Sequence, residues 1–278
     1  MTTPPNCYQM EINGKRREEF RDGILMTGDA ALRLQDISPQ SVDLVVTSPP
    51  YDAIRSYGGH SWNFESIAQG LIRVLRVGGV IVWVVGDSTV SGSETGTSMK
   101  QALRFVELGL RLHDTMIYEK HNPPPTGGKN RYQQAWEYMF ILSKGAPKAV
   151  NLIHTPRRNA CNDKRTFRMK KFTRGKDGEF GSAKPYVIRS SVPRRNIWSY
   201  KVGGGNSTKD KLPHSHPAIM PEQLALDHIL TWSNKGEVVL DPFAGSGTTL
   251  KMARVSDRKF IGIEVDGGYV SIIKSRLS

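Results

Sequence analysis

Short apolar runs alternate along this chain with stretches whose apolar residues recur at helical spacing. Ile24–Met26, Val42–Val46, Val80–Val85, Thr115–Tyr118, Tyr138–Leu142, Val238–Leu240 and Phe260–Val265 read as strands, being β-branched or aromatic runs bounded by polar turns. Ser66–Leu75, Met99–Leu108, Pro221–Trp232 and Thr248–Arg254 carry apolar residues three and four apart and read as helices. Gly78-Gly79 and Gly109 are expected as helix stops before the strands that follow. Strand and helix in alternation imply an α/β fold, a doubly wound and mostly parallel sheet covered on both faces. No internal repeat is visible.

Charge divides this pattern in two. The chain has 278 residues and a net charge of +13, and its length suits one large domain with an insertion. Between Lys148 and Lys211 there are 17 Lys and Arg against 4 Asp and Glu, whereas 22 basic residues balance 22 acidic ones elsewhere. The whole excess therefore lies in one segment, as expected of a surface that meets a phosphate backbone. A solvated, disordered basic loop would be poor in aromatics, but this one holds Phe167, Phe172, Phe180, Tyr186, Trp198 and Tyr200. Candidate phosphate contacts are Arg157, Arg158, Lys164, Arg165, Arg168, Lys170, Lys171, Arg194 and Arg195. Gly203-Gly204-Gly205 reads as the return to the core. The expected organisation is an N-terminal extension (1–23), a first half of the core domain (24–147), the basic insertion (148–211) and a second half (212–278).

Two strand ends carry candidate chemistry. VVTSPPYDAIRSYGG (45–59) runs an apolar strand into two prolines, which have no N–H to donate and fix φ, so the strand must end there. Ser48, the carbonyls of Pro49 and Pro50, and Tyr51 are left at its carboxyl end, where ligands sit in open α/β sheets. VVLDPFAGSGTTL (238–250) is a strand, an Asp, a glycine-rich turn and a helix start. Gly245 and Gly247 let a ligand approach the backbone, and the helix start offers free N–H groups. No Lys follows as a triphosphate loop requires. Glu264 ends the next strand, 23 residues after Asp241, where an acid can accept both hydroxyls of a ribose.

Asp-Pro-Phe-x-Gly-Ser-Gly-Thr-Thr together with Thr-Ser-Pro-Pro-Tyr resembles the S-adenosylmethionine-dependent DNA amino-methyltransferases, which methylate N4 of cytosine or N6 of adenine. The catalytic motif precedes the insertion and the cofactor motif follows it, an order similar to their beta group. The resemblance runs from Ile24 to Ser278. It implies a Rossmann-like methyltransferase fold in which 148–211 is the target-recognition insertion. LMTGDA (25–30) resembles the cofactor-adenine motif and implicates Asp29. HPAIMPEQL (216–224) resembles the segment that encloses the methionine part of the cofactor and implicates Pro217 and Ala218. IYEKHNPP and RYQQAWEYMFIL resemble the approach to the insertion. The cofactor residues so implied are Asp29, Asp241, Pro242, Phe243, Gly245, Gly247, Thr248, Glu264, Pro217 and Ala218; the catalytic ones are Ser48, Pro49, Pro50 and Tyr51. The expected ligand is S-adenosylmethionine, with no metal, and the expected partner is duplex DNA.

These residue types suit the chemistry. An exocyclic amino nitrogen is a poor nucleophile, because its lone pair is delocalised into the ring. Acceptors aimed at its hydrogens stabilise the positive charge that grows as it attacks. The Ser48 hydroxyl and the rigid Pro49 carbonyl are such acceptors, and Tyr51 offers a face on which an extruded base can stack. Methylation at a base carbon instead needs a cysteine nucleophile, carried in a Pro-Cys pair, but Asn6 precedes Cys7 and Ala160 precedes Cys161. The seven histidines show no metal-ligand grouping. Ser in the first motif position is more typical of N4-cytosine enzymes, and Asp or Asn of N6-adenine ones. Cytosine N4 is therefore the expected target and adenine N6 the alternative. More remote readings are an RNA or protein methyltransferase and a non-catalytic DNA-binding relative. The N-terminus has no apolar run resembling a signal sequence and no stretch reaches membrane-spanning length, so a cytoplasmic protein with no membrane partner is expected. A cognate restriction endonuclease and the oligomeric state stay open.

Overall fold

The computed structural model describes residues 8–12, 15–50, 62–123, 125, 130–156, 190–203, 205–210 and 219–278. Their packing divides into two compact units, residues up to 151 with those from 196 onward, and Leu152–Arg195.

The larger unit is built on one sheet. Its first strands are β1 (Tyr8–Ile12), β2 (Lys15–Phe20) and β3 (Gly23–Thr27), each antiparallel to the one before. Helix α1 (Ala30–Leu34) leads to β4 (Val42–Thr47), whose apolar run is buried almost throughout, as a strand covered on both faces must be. Helix α2 (Phe64–Val74) passes directly into β5 (Leu75–Val85). A short hairpin, β6 (Thr89–Val90) and β7 (Ser93–Glu94), precedes helix α3 (Thr97–Glu107). Strands β8 (Arg111–Lys120) and β9 (Trp136–Ser143) form an antiparallel pair. In the smaller unit, β10 (His154–Pro156) pairs antiparallel with β11 (Ser191–Pro193), and the Arg194 N–H donates to the Ile153 carbonyl at 2.8 Å. The larger unit resumes with β12 (Ile197–Tyr200), α4 (Glu222–Trp232), β13 (Val238–Asp241), α5 (Thr248–Val255), β14 (Lys259–Glu264) and α6 (Gly267–Leu277).

Across the sheet the order is β1-β2-β3-β14-β13-β4-β5-β9-β8-β12. The five central strands β3, β14, β13, β4 and β5 are mutually parallel. One face is covered by α1, α2 and α3, whose Leu34, Leu71 and Phe105 pack with Val45, Ile81, Trp83 and Ile263. Helix α5 lies on the other, because a Cβ at Gly262, which alternates with Ile263, would run into the Leu250 side chain. From β13 the chain moves outward to β14, and from β4 it moves the opposite way to β5. The strand order thus reverses between β13 and β4, where a ligand crevice opens.

The expected strands all form, but one pair of glycines acts differently. Gly78-Gly79 do not stop a helix: α2 ends at Val74 and both glycines lie inside β5. The pairing of β4 with β5 shifts register here, and Gly78 takes φ +84° where a Cβ would meet the Lys148 side chain. The glycine is needed for the bulge rather than for a helix end. Gly109, at φ +99°, does follow the end of α3 as expected. Among residues read as belonging to the basic segment, Lys148, Thr208 and Asp210 fall in the larger unit. Among the described residues no helix is long and apolar enough to cross a membrane.

Candidate active site

Parallel strands all present their carboxyl ends on one edge, so Thr27, Glu264, Asp241 and Thr47 arrive together there. Asp29 follows β3 and caps α1, accepting from the Leu32 N–H at 3.0 Å. The Gly28 N–H donates to the Glu264 carbonyl at 2.9 Å, which joins the ends of β3 and β14.

Asp241 is 4% exposed. Its Oδ1 accepts from the Thr47 hydroxyl at 2.7 Å and from the Phe243 N–H at 3.1 Å. A second clip joins the same two segments, with the Thr249 hydroxyl donating to the Val46 carbonyl at 3.2 Å. Threonines 47 and 249 thus fasten the Ser-Pro-Pro strand end to the Asp-Pro-Phe strand end. Pro242 and Phe243 open the turn. Gly245, at φ +52°, donates its N–H to Glu264 Oε2 at 2.7 Å, while the Asp266 N–H donates to Oε1 at 2.9 Å. Glu264 therefore braces the turn while its carboxylate still lines the cavity. Gly247, at φ +81°, precedes Thr248, the first residue of α5; a Cβ there would come within 2.9 Å of Ile273.

Burial pushes the Asp241 carboxyl up to about 6, against the hydrogen bonds from Thr47 and Phe243. Glu264 is also raised, by burial first and by the Asp241 charge, against the N–H groups of Asp266 and Gly245. Two buried acids side by side are costly to build for packing alone. The folded protein holds its Asp241 proton more tightly than the unfolded chain does. Stability from this group is then full below about pH 4 and lost as pH rises to about 6. The penalty approaches 3 kcal/mol at neutral pH, at about 1.4 kcal/mol per unit. Asp241→Asn, which keeps an acceptor for Thr47, is expected to unfold at a higher temperature than the parent at pH 8 and at the same temperature near pH 4. Melting curves across that range check it, and a gap that does not change with pH would refute the ionised burial.

Ser48 and Pro50 line the same cavity as Asp29, Asp241, Phe243, Gly245 and Glu264, whereas Pro49 is buried and is not among the lining residues. Pro242 and Thr248 line it too. Tyr51, Pro217 and Ala218 lie outside the described residues. Sequence reasoning missed Trp62 and Tyr269, which add apolar wall to the cavity beside Met220 of the HPAIMPEQL segment. Trp62 packs edge-on against Phe243 with centroids 5.2 Å apart. No motif flagged Trp62 or Tyr269, since large apolar residues otherwise read as core. Carboxylates that can accept from ribose hydroxyls, an open glycine turn and flat apolar walls fit a nucleoside carrying an amino-acid extension. Of the candidate phosphate contacts, Arg195 is exposed and Arg194 half-buried at the end of β11; the other seven, 157 to 171, lie outside the described residues. Among the described residues no group of His, Cys, Asp or Glu could hold a metal ion.

Known proteins bear on this cavity. The family model of N6 and N4 methyltransferases, described as DNA methylase, matches residues 42–275. The orphan methyltransferase M.BamHII of Bacillus amyloliquefaciens is 51% identical over 244 residues, covering 87% of this chain and 91% of the relative. The type II methyltransferase M.SmaI of Serratia marcescens is 27% identical over 296 residues, covering 91% and 90%. A putative DNA modification methylase of Thermus thermophilus, solved with S-adenosyl-L-methionine, is 26% identical with a TM-score of 0.58 over 91% of this chain and 93% of that one. The cytosine-N4-specific PvuII DNA methyltransferase shares the fold at 18% identity, with a TM-score of 0.66 over 92% and 86%.

Proposed function

Because the chain belongs to the N6 and N4 DNA methylase family, and is thus an S-adenosylmethionine-dependent DNA amino-methyltransferase, we propose that it methylates N4 of cytosine in duplex DNA. Transfer is direct, to a base flipped out of the stack. The observation that carries this reading is Ser48, at the carboxyl end of β4, lining one cavity with Asp241 and Glu264. The cofactor supplies a sulfonium methyl that is already activated. The chain's own task is to align donor, carbon and acceptor and to receive the amino hydrogens. Glu264 and Asp29 are suited to the ribose and adenine end of the cofactor, and the turn from Pro242 to Thr248 to its methionine end. Pro217 and Ala218 complete the cofactor set. Ser48 and the Pro49 carbonyl accept from the amine, Pro50 stiffens the strand end and Tyr51 stacks on the base.

Residues 148–211 then serve as the target-recognition insertion between a catalytic half (24–147) and a cofactor half (212–278). The concentration of positive charge supports this, with Arg157, Arg158, Lys164, Arg165, Arg168, Lys170, Lys171, Arg194 and Arg195 on phosphates. M.SmaI is named a type II methyltransferase, while the relative at 51% identity is named an orphan. We favour action in the cytoplasm without an obligate nuclease.

The test is to supply methyl-labelled cofactor with duplex DNA, RNA or protein, digest, and identify the product. N4-methyldeoxycytidine is expected. N6-methyldeoxyadenosine would move the target to adenine, and label found only in RNA or protein would overturn the proposal.

A further inference from the structure

A buried arginine reaches the cofactor turn from behind. Arg276, in the last turn of α6, has a side chain only 1% exposed. Its Nη1 donates to the Ser246 carbonyl at 2.5 Å, with the Ser246 and Thr248 hydroxyls each at 3.3 Å. Its Nε donates to Asp210 Oδ2 at 2.9 Å and its Nη2 to Glu222 Oε1 at 2.7 Å. The Lys251 ammonium shares these carboxylates, at 2.7 Å from Asp210 and 2.8 Å from Glu222, but that side chain has no bond to the turn among those described. The Thr208 hydroxyl adds a bond to Glu222 Oε1 at 2.7 Å. Burial pushes the Asp210 carboxyl up, but the bonds from Lys251 and Arg276 outweigh it and leave the group below its ordinary value.

A part-buried network of two cations and two carboxylates is a poor way to gain stability, since desolvation offsets much of the attraction. It does fix geometry. The guanidinium is a rigid fork whose three nitrogens meet three different chain segments in fixed directions, which the rotating donors of an ammonium do not impose. One of those segments is the glycine turn, and another is Glu222, two residues past the cavity-lining Met220.

We propose that Arg276 is a positioning residue for the cofactor, a clasp that holds Ser246 and Thr248 of the turn against Asp210 and Glu222. This rests on the reading of the cavity as the S-adenosylmethionine site and assigns a residue outside its lining. The clasp acts on the shape of the turn before ligand arrives, so its loss appears in cofactor affinity and not in the transfer step.

The test compares Arg276→Lys, Asp210→Asn, their double variant and Lys251→Met in the full chain. Calorimetry with S-adenosylmethionine, thermal unfolding, and single-turnover transfer to duplex DNA at saturating cofactor are the readouts. Arg276→Lys is expected to weaken cofactor binding at least tenfold while the saturated rate stays within about threefold. Adding Asp210→Asn to it should cost no further affinity, because both act through one clasp. Lys251→Met removes a whole positive charge from the network, where Arg276→Lys removes none, but should leave cofactor affinity within about twofold, even where it lowers the unfolding temperature. Unchanged affinity in Arg276→Lys overturns the proposal, as does an equal loss of affinity in Lys251→Met, which would mark a general structural role. Absence of binding by the parent chain would refute the cofactor site and the clasp with it. Intact binding by parent and Arg276→Lys alike refutes the clasp alone.

Discussion

Gly245→Asp is expected to abolish S-adenosylmethionine binding, weakening it by at least about 100-fold, or nearly 3 kcal/mol. Gly245 lines the cavity, takes φ +52° and gives its N–H to Glu264 at 2.7 Å. Aspartate tolerates the left-handed region better than most residues, so backbone strain is the smaller effect. The larger is the new carboxylate, which would enter ligand space beside Asp241 and Glu264, both already raised above their ordinary values. It occupies volume the cofactor needs and adds a third acid that competes for the turn. Gly245→Ala separates the effects, because it carries the strain, of order 1 kcal/mol, without the charge and with one added methyl. Calorimetry on both variants and the parent is the measurement. Undiminished affinity in Gly245→Asp would remove the turn from the cofactor site.

Much of the frame that holds this turn was legible in the sequence. Strands β4, β5, β13 and β14 are nearly continuous apolar runs because helices cover both faces, and such runs stand out from any background. Parallel strands then bring Asp29, Ser48, Asp241 and Glu264 to one edge, so placement followed once direction was known. Other parts left no readable period. Strand β2, Lys-Arg-Arg-Glu-Glu-Phe, is dominated by charge and reads as an extension, yet it pairs with β3. The glycines of β5 look like a helix stop because a bulge and a helix end both call for positive φ. Bracing contacts are harder still. Thr47 meets Asp241 across 194 positions, and Arg276 meets Asp210 across 66. Nothing local to a threonine or an arginine says which distant oxygen it serves. The cavity wall from Trp62 and Tyr269 is invisible for a related reason, since apolar side chains carry no sign of which ligand they face.

Ser48→Ala is expected to slow methyl transfer by roughly 100-fold, the usual scale for removing one group that stabilises charge only in the transition state. Affinity for cofactor and for DNA should fall much less, because the hydroxyl acts as the amine turns pyramidal and gains charge. The fold should survive the change. The strand end is held by Thr47 on Asp241 and by Thr249 on the Val46 carbonyl, and Ser48 itself is only half-buried. Rigid Pro49 and Pro50 keep the backbone course whichever side chain stands at 48. The measurement is single-turnover transfer with enzyme in excess and both ligands saturating, so that binding does not enter the rate. A second variant sharpens the assignment. Ser48→Asp restores an acceptor of different shape, and should transfer faster than Ser48→Ala while remaining slower than the parent. If acceptance of the amino hydrogens is the role, the order is Ser, then Asp, then Ala. A Ser48→Ala rate within about threefold of the parent would show that the Pro49 carbonyl alone suffices, and an Asp variant no faster than Ala would show that Ser48 contributes shape rather than an acceptor.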